Sequence, residues 1–220
     1  MQRTADIKKL SHKYLPTDFV ITDWACLEPF FKELNDRPIP SVEALEAWLT
    51  DLSELEACIS EDACWRQIKM TCDTTDKSLE DAFTFFCMEI QPKMQPYADA
   101  LNKKLIQSPY TAGLDQAKYH TYLRSVKKSI ELFRTENIPI QAELSVLQQQ
   151  YGVIAGKMTI EVGGKEYTLQ QAAQFLENED RNLREEVYRK IQERRLQDKE
   201  KLNQLFDKLV ELRNKEALNA

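Results

Sequence analysis

The sequence predicts a mainly α fold of long antiparallel helices carrying one small β-hairpin at about residues 158–168. Three observations predict it. Only 5 glycines and 8 prolines occur in 220 residues, too few breakers for many short strands and tight turns. Apolar residues recur at steps of three and four over most of the chain, the period of a buried helical face. A single segment switches to the alternation of a strand.

The elements follow in order. After a polar arm, Met1 to Lys13, the stretch Leu15 to Trp24 reads as an extended lead-in. Pro29 suits the first turn of a short helix, where its missing N–H does no harm. Phe30, Phe31 and Leu34 form that helix's apolar face, and Pro38 and Pro40 stop it. Ser41 is a good N-cap. From there Val42, Leu45, Leu49, Leu52, Leu55 and Ile59 make a stripe with no breaker until about Asp73, a helix of roughly 45 Å. Asp73 to Asp76 is a turn of capping side chains. The next helix carries Leu79, Phe83, Phe86 and Ile90, and Pro92 demands a break near Gln91.

A further helix buries Met94, Tyr97, Leu101 and Leu105, and Pro109 to Gly113 is a loop. Tyr119, Tyr122, Leu123, Val126, Ile130 and Phe133 face inward on the helix after it. Asn137 can cap another, with Leu144, Leu147, Tyr151 and Ile154 inside. Met158 to Leu169 then alternates around Gly163-Gly164, a pair that tolerates the positive φ of a type I′ turn. Ile160 falls opposite Tyr167, and Glu161 opposite Glu166 on a face that must be wet. A lone hairpin is marginal in water, so it must lie on helices or on a partner. Thr168 and Gln171 match a capping box. Asp180 can start the last helix, whose stripe from Leu183 to Leu212 slips in register. The loop at Pro109 to Gly113 suggests two helical lobes, 1–110 and 111–220.

Charge and composition exclude several functions. The net charge is −6 with both signs interspersed, unlike the basic footprint of a nucleic-acid binder. Arg194-Arg195 is flanked by acids that cancel its field. No apolar run approaches the ~18 residues of a membrane span, and the N-terminus has no apolar signal region. A cytoplasmic protein is expected, with no nucleic-acid or membrane partner.

No residue qualifies as a catalytic or metal-binding candidate. The two histidines, His12 and His120, have no partner histidine four residues away, so the helical HExxH site is absent. The five cysteines, Cys26, Cys58, Cys64, Cys72 and Cys87, show no two-residue spacing and read as reduced structural residues, most of them buried. Glu54, Glu56, Glu61 and Asp62 read as a solvated acidic face. Trp24, Trp48 and Trp65 read as core or interface anchors. No GxSxG elbow or P-loop occurs.

Four stretches, taken in order, carry a resemblance. They are LPTDFVITDW from Leu15 to Trp24; SELEACISEDACWRQIKMTCDTTD from Ser53 to Asp76; AFTFFCMEIQPKMQPY from Ala82 to Tyr97; and the hairpin with Thr168-Leu169, Asp180-Arg181, Arg184 and Tyr188. Together they resemble the N-terminal half of oligoendopeptidase F-like metallopeptidases of the thimet group. The resemblance implies a zinc enzyme that hydrolyses short peptides in a closed cavity, with the motif glutamate as general base. It implies zinc in the full-length enzyme and none in these 220 residues. The HExxH helix belongs to the family's C-terminal half, so no site residue carries over. The helical region forms one wall of the cavity, with oligopeptide substrate and the C-terminal catalytic domain as its partners. The still-helical stretch Leu209 to Ala220 reads as a cut through a longer protein. A non-catalytic helical scaffold and a catalytically dead relative remain open as alternatives.

Overall fold

The computed structural model describes residues 12–74 and 76–219. The expected polar arm lies outside them except for His12 and Lys13, as does Thr75 of the expected turn. The fold is mainly α with one two-stranded antiparallel sheet. No helix among the described residues is long and apolar enough to cross a membrane.

Two compact units are present, and neither is a continuous stretch. Unit 1 takes the chain through Trp65 together with Glu89–Phe133, and unit 2 takes Arg66–Met88 and the chain from Arg134 onward. A division near residue 110 therefore falls inside unit 1. The helices on either side of that loop pack on each other, so the loop joins neighbours.

Unit 1 is built on α1 (Trp24–Asp36), the N-terminal part of α2 (Val42–Cys72), α4 (Gln91–Gln107) and α5 (Gln116–Leu132). The lead-in ends one residue earlier than its sequence suggests. Asp23 caps α1 by accepting from the Cys26 N–H at 3.1 Å. Pro29 consequently lies inside the helix rather than in its first turn. The carbonyl it leaves unbonded belongs to Ala25, which is exposed and open to water. The 31-residue α2 begins as expected, with Ser41 Oγ accepting from Ala44 N–H at 3.2 Å.

Trp48 is fully buried, and its Nε1 donates to Leu34 O at 2.8 Å. Trp24, Phe31 and Tyr97 cluster, with ring centres 5.2–5.9 Å apart. Leu101 and Leu105 of α4 and Leu123 and Val126 of α5 are buried as their spacing predicts. Tyr122, expected inside, is 37% exposed.

The segment before α1 is pinned to α2 by one carboxylate. Glu54 accepts from the N–H groups of Lys13 at 3.0 Å, Tyr14 at 3.0 Å and Leu15 at 2.8 Å. Its expected place on a solvated acidic face is thus corrected: three orphan backbone donors draw it in. Burial pushes its carboxyl up. The N–H groups of Leu15, Lys13 and Tyr14, with His12 nearby, outweigh that and hold it below the ordinary glutamate range. A depressed carboxylate stabilises the fold above its unfolded value near 4.5, and that contribution is lost as pH falls through the lower folded value. Glu54→Gln should lower the thermal midpoint at neutral pH, with the gap to wild type closing on acidification. A gap that stays constant with pH would refute the role.

Nearby, Arg37 reaches Glu33 through Nε and Nη2, both at 2.8 Å, and Asp51 through Nη1 at 2.6 Å. The same guanidinium lies 5.3 Å from the Tyr14 ring centre.

Unit 2 contains the last turns of α2, then α3 (Lys77–Phe85), α6 (Asn137–Gly156), β1 (Thr159–Val162), β2 (Lys165–Thr168), α7 (Leu169–Ala172), α8 (Arg181–Gln197) and α9 (Lys199–Asn219). The expected break before Pro92 is instead a π-helical turn, Phe86–Ile90, running directly into α4. The wider turn accommodates a ring that would clash with the carbonyl of a regular α turn.

Asn137 does not cap α6. It is buried in the first turn, where its Nδ2 donates to Glu216 O at 3.0 Å and its Oδ1 accepts from Asn219 at 2.7 Å. Leu144 and Leu147 pack against Leu205 and Leu212 of α9, whereas Tyr151, expected inside, is 59% exposed.

The hairpin has the predicted register, Ile160 opposite Tyr167 and Glu161 opposite Glu166. Gly163 and Gly164 take φ of 59° and 77°. Ile160 and Val162 pack on Ala172, Val187 and Ile191, so the sheet lies on α7 and α8. No atom lies within 4 Å of a Cβ built at Gly163, so a substitution there meets only the backbone penalty. Gly163→Val should destabilise the hairpin by about 1–2 kcal/mol, with Gly163→Asn milder. An unchanged thermal midpoint for the valine variant would count against the turn.

The capping box is complete, Gln171 N–H to Thr168 Oγ1 at 3.2 Å and Thr168 N–H to Gln171 Oε1 at 3.0 Å. Asp180 caps α8 through Asn182 N–H at 2.9 Å. The register slip in the final stripe corresponds to a break at Asp198 between α8 and α9. There Asp198 pairs with Arg194 at 2.6 Å and Lys201 at 3.5 Å.

Candidate functional site

Side chains able to do chemistry are dispersed. His12 Nδ1 lies 3.9 Å from Glu54 Oε1, and His120 is exposed on α5. None of the five cysteines is disulfide-bonded, but only Cys87 is buried; Cys64 and Cys72 are exposed. The expectation that most are buried fails because Cys64 and Cys72 lie on the polar side of α2. Burial pushes the Cys87 thiol up to about 11, which suppresses its thiolate. Glu56 and Glu61 are exposed and Asp62 is half-buried. Trp48 is a core anchor, whereas Trp65 is 52% exposed. Among the described residues, no group of three His, Cys, Asp or Glu side chains could hold a metal ion.

Unit 2 does contain a concave pocket of about 900 Å³. The end of α2 contributes Met70, Thr71 and Cys72, with Asp73 and Thr74 just beyond. Phe83 comes from α3. α6 contributes Gln148, Gln149, Gly152 and Val153, and the turn from β2 into α7 brings Thr168, Leu169 and Gln170. The capping box fixes that last wall, because it holds the strand-to-helix corner from both sides.

Gln149 is the distinctive residue. It is 8% exposed, and its Nε2 has no hydrogen-bond partner. A buried donor left unpaired costs about 1–3 kcal/mol, so native proteins rarely keep one. Among the described residues, four glutamines line the pocket, and Asp73 is its only charged side chain. None of the described histidines, lysines or arginines takes part. This arrangement suits holding a neutral molecule that both donates and accepts hydrogen bonds. It provides no nucleophile–base pair.

The sequence reading passes over Gln149 because it follows the leucine stripe of α6. A second line on the same helix, Ala142, Ser145, Gln149 and Gly152, is the signal that marks it.

A smaller concavity in unit 1, about 590 Å³, includes Lys104 in its lining. That ammonium already donates to Leu34 O at 2.8 Å, Asn35 O at 2.7 Å and Arg37 O at 2.6 Å.

Residues 16–133 match the profile of the Peptidase M3 N-terminal domain. No curated protein matches the chain. Three solved structures share its fold over 94% of its length. One is described as an oligoendopeptidase F, at 22% identity and a TM-score of 0.83, of which 37% is covered. Another is described as an oligoendopeptidase F from Bacillus anthracis str. Ames, at 21% identity and a TM-score of 0.82, of which 39% is covered. The third is PZ peptidase A with an inhibitor, at 19% identity and a TM-score of 0.83, of which 37% is covered. The chain therefore spans less than two fifths of the length of each, and at these identities the likeness is one of fold.

Proposed function

We propose, from the premise that this chain belongs to the Peptidase M3 N-terminal domain family, that it forms a helical wall of the substrate cavity in a zinc-dependent oligoendopeptidase that hydrolyses short peptides. The observation that carries this reading is the profile match over residues 16–133, supported by the fold shared with two proteins described as oligoendopeptidase F. Long helices with few breakers suit a stiff enclosing shell.

The residues described here do not fit a zinc site. A zinc centre needs three or four convergent ligands. His12 stands beside Glu54 near the start of the chain, and His120 is exposed on another helix. In this reading the metal and its HExxH helix come from sequence outside these 220 residues, and no chemical step is assigned to the chain itself. Its partners are the oligopeptide substrate and that catalytic portion. Five cysteines outside any disulfide accord with a reducing, cytoplasmic setting.

Cleavage of short peptides by the full-length protein, with and without a chelator, tests the proposal. Activity that disappears on metal removal and returns with zinc is expected. The 220-residue chain alone should neither cleave peptides nor retain stoichiometric zinc. Full-length activity that survives the chelator would overturn the zinc mechanism.

A further inference from the structure

We infer that the uncovered flank of α9, formed by Leu202, Phe206 and Val210, is the seat of an amphipathic helix from the polypeptide outside these 220 residues, with a basic side chain of that helix beside Asp207. The inference rests on the peptidase reading only for the existence of that further polypeptide.

The flank follows from the spacing of α9. At 3.6 residues per turn, its apolar residues fall on one arc in the order Leu212, Leu205, Leu209, Leu202, Phe206, Val210. The arc spans about 160°, well beyond the roughly 100° of a helix that faces a single core. Asp207, Lys208 and Glu211 fall on the rest of the circumference and do not interrupt it. α6 covers only one side. Leu205 and Leu212 are buried there with Leu144 and Leu147, and Leu209 packs at the margin. Past that margin Leu202 is half-buried, Phe206 is 65% exposed and Val210 is 50% exposed.

The polar side of α9 is already engaged. Lys208 pairs with Glu143 at 2.8 Å, Lys215 with Glu211 at 2.6 Å, and Gln204 donates to Glu200 at 3.0 Å. The apolar flank is what the chain leaves over.

Three observations choose its occupant. The flank runs straight on from the α6 interface, so a helix laid along it would close over the same leucines. From Leu202 to Val210 it is about 12 Å long, some two turns of a partner helix. Charge then argues against a second copy. The edge beyond Val210 carries Asp207 and Glu211, both exposed. A two-fold axis would turn that acidic edge against itself, whereas a basic edge would complement it. Finally, the chain covers only 37–39% of the solved structures that share its fold. Most of each lies outside the matched part and is available to supply the helix.

Single variants Val210→Cys, Phe206→Cys and Gln204→Cys of the full-length protein test this, with maleimide labelling resolved peptide by peptide. All three positions are exposed on α9, and Gln204 lies on the side away from the flank. The Val210→Cys and Phe206→Cys thiols should label at least about tenfold more slowly than that of Gln204→Cys, because labelling must wait for local opening. Val210→Cys changes little volume, so its result stands even where Phe206→Cys loosens the contact. Adding Asp207→Lys to Val210→Cys should speed labelling by about threefold, the scale of reversing a charge at an interface rim.

Equal labelling of Val210→Cys and Gln204→Cys, or no response to Asp207→Lys, would overturn the assignment. Protection lost on dilution would make a second copy the occupant and overturn it as well. Protection without metal-dependent cleavage would leave this interface standing while the peptidase reading falls. Metal-dependent cleavage with a freely labelled Val210→Cys thiol would do the reverse.

Discussion

Trp48→Ala is expected to lower the stability of unit 1 by about 3–5 kcal/mol, the range for emptying a buried aromatic site. Trp48 is fully buried between α1 and α4, and its indole N–H satisfies Leu34 O at 2.8 Å. Truncation therefore leaves a cavity and takes from Leu34 O one of its two donors, the other being Lys104 Nζ at 2.8 Å. Trp48→Phe separates the two, keeping most of the volume while losing the donor. Its cost should be well under half that of alanine. Urea denaturation followed by circular dichroism measures both. A loss below about 1 kcal/mol for the alanine variant would mean that the site collapses and refills.

Lys104→Met is expected to be the next most damaging change, at about 2–3 kcal/mol, the scale of a charge-assisted hydrogen bond. The Lys104 ammonium gathers three carbonyls at the end of α1, those of Leu34, Asn35 and Arg37. A cation there also meets the negative end of the helix dipole. Methionine keeps the aliphatic stem but donates nothing, so the loss reports the head group. Lys104 Nζ also lies 5.7 Å from the Trp48 ring centre, and both residues bond Leu34 O. The two substitutions should therefore combine non-additively. A double variant whose loss equals the sum of the singles would contradict a shared role.

Features set by neighbours in the chain were legible in the sequence. Ser41 begins the long helix, Thr168 and Gln171 form their reciprocal box, and Gly163-Gly164 turns the hairpin in the expected register. Each depends on contacts a few residues apart. Where the reading failed, a distant partner decided the outcome. Asn137 was drawn from a capping role by Glu216, 79 residues away. Glu54 was drawn from solvent by backbone donors some 40 residues earlier. Tyr151 fits the stripe of α6, but α9 covers the leucines and leaves it exposed. The pocket was illegible for the same reason. Its walls come from the end of one helix, the middle of another and a strand-to-helix corner, and no local pattern reveals that they meet.

The hairpin also bears on how the protein resists self-association. A two-stranded sheet has an open edge along each strand, where another chain's backbone can add. Here each strand has only four residues, and Glu161, Lys165 and Glu166 place charges along them. A second copy aligning there would bring carboxylates together over a very short ladder. The apolar face that would reward stacking is already committed to α7 and α8. The one β element among the described residues is therefore a poor template for fibril growth.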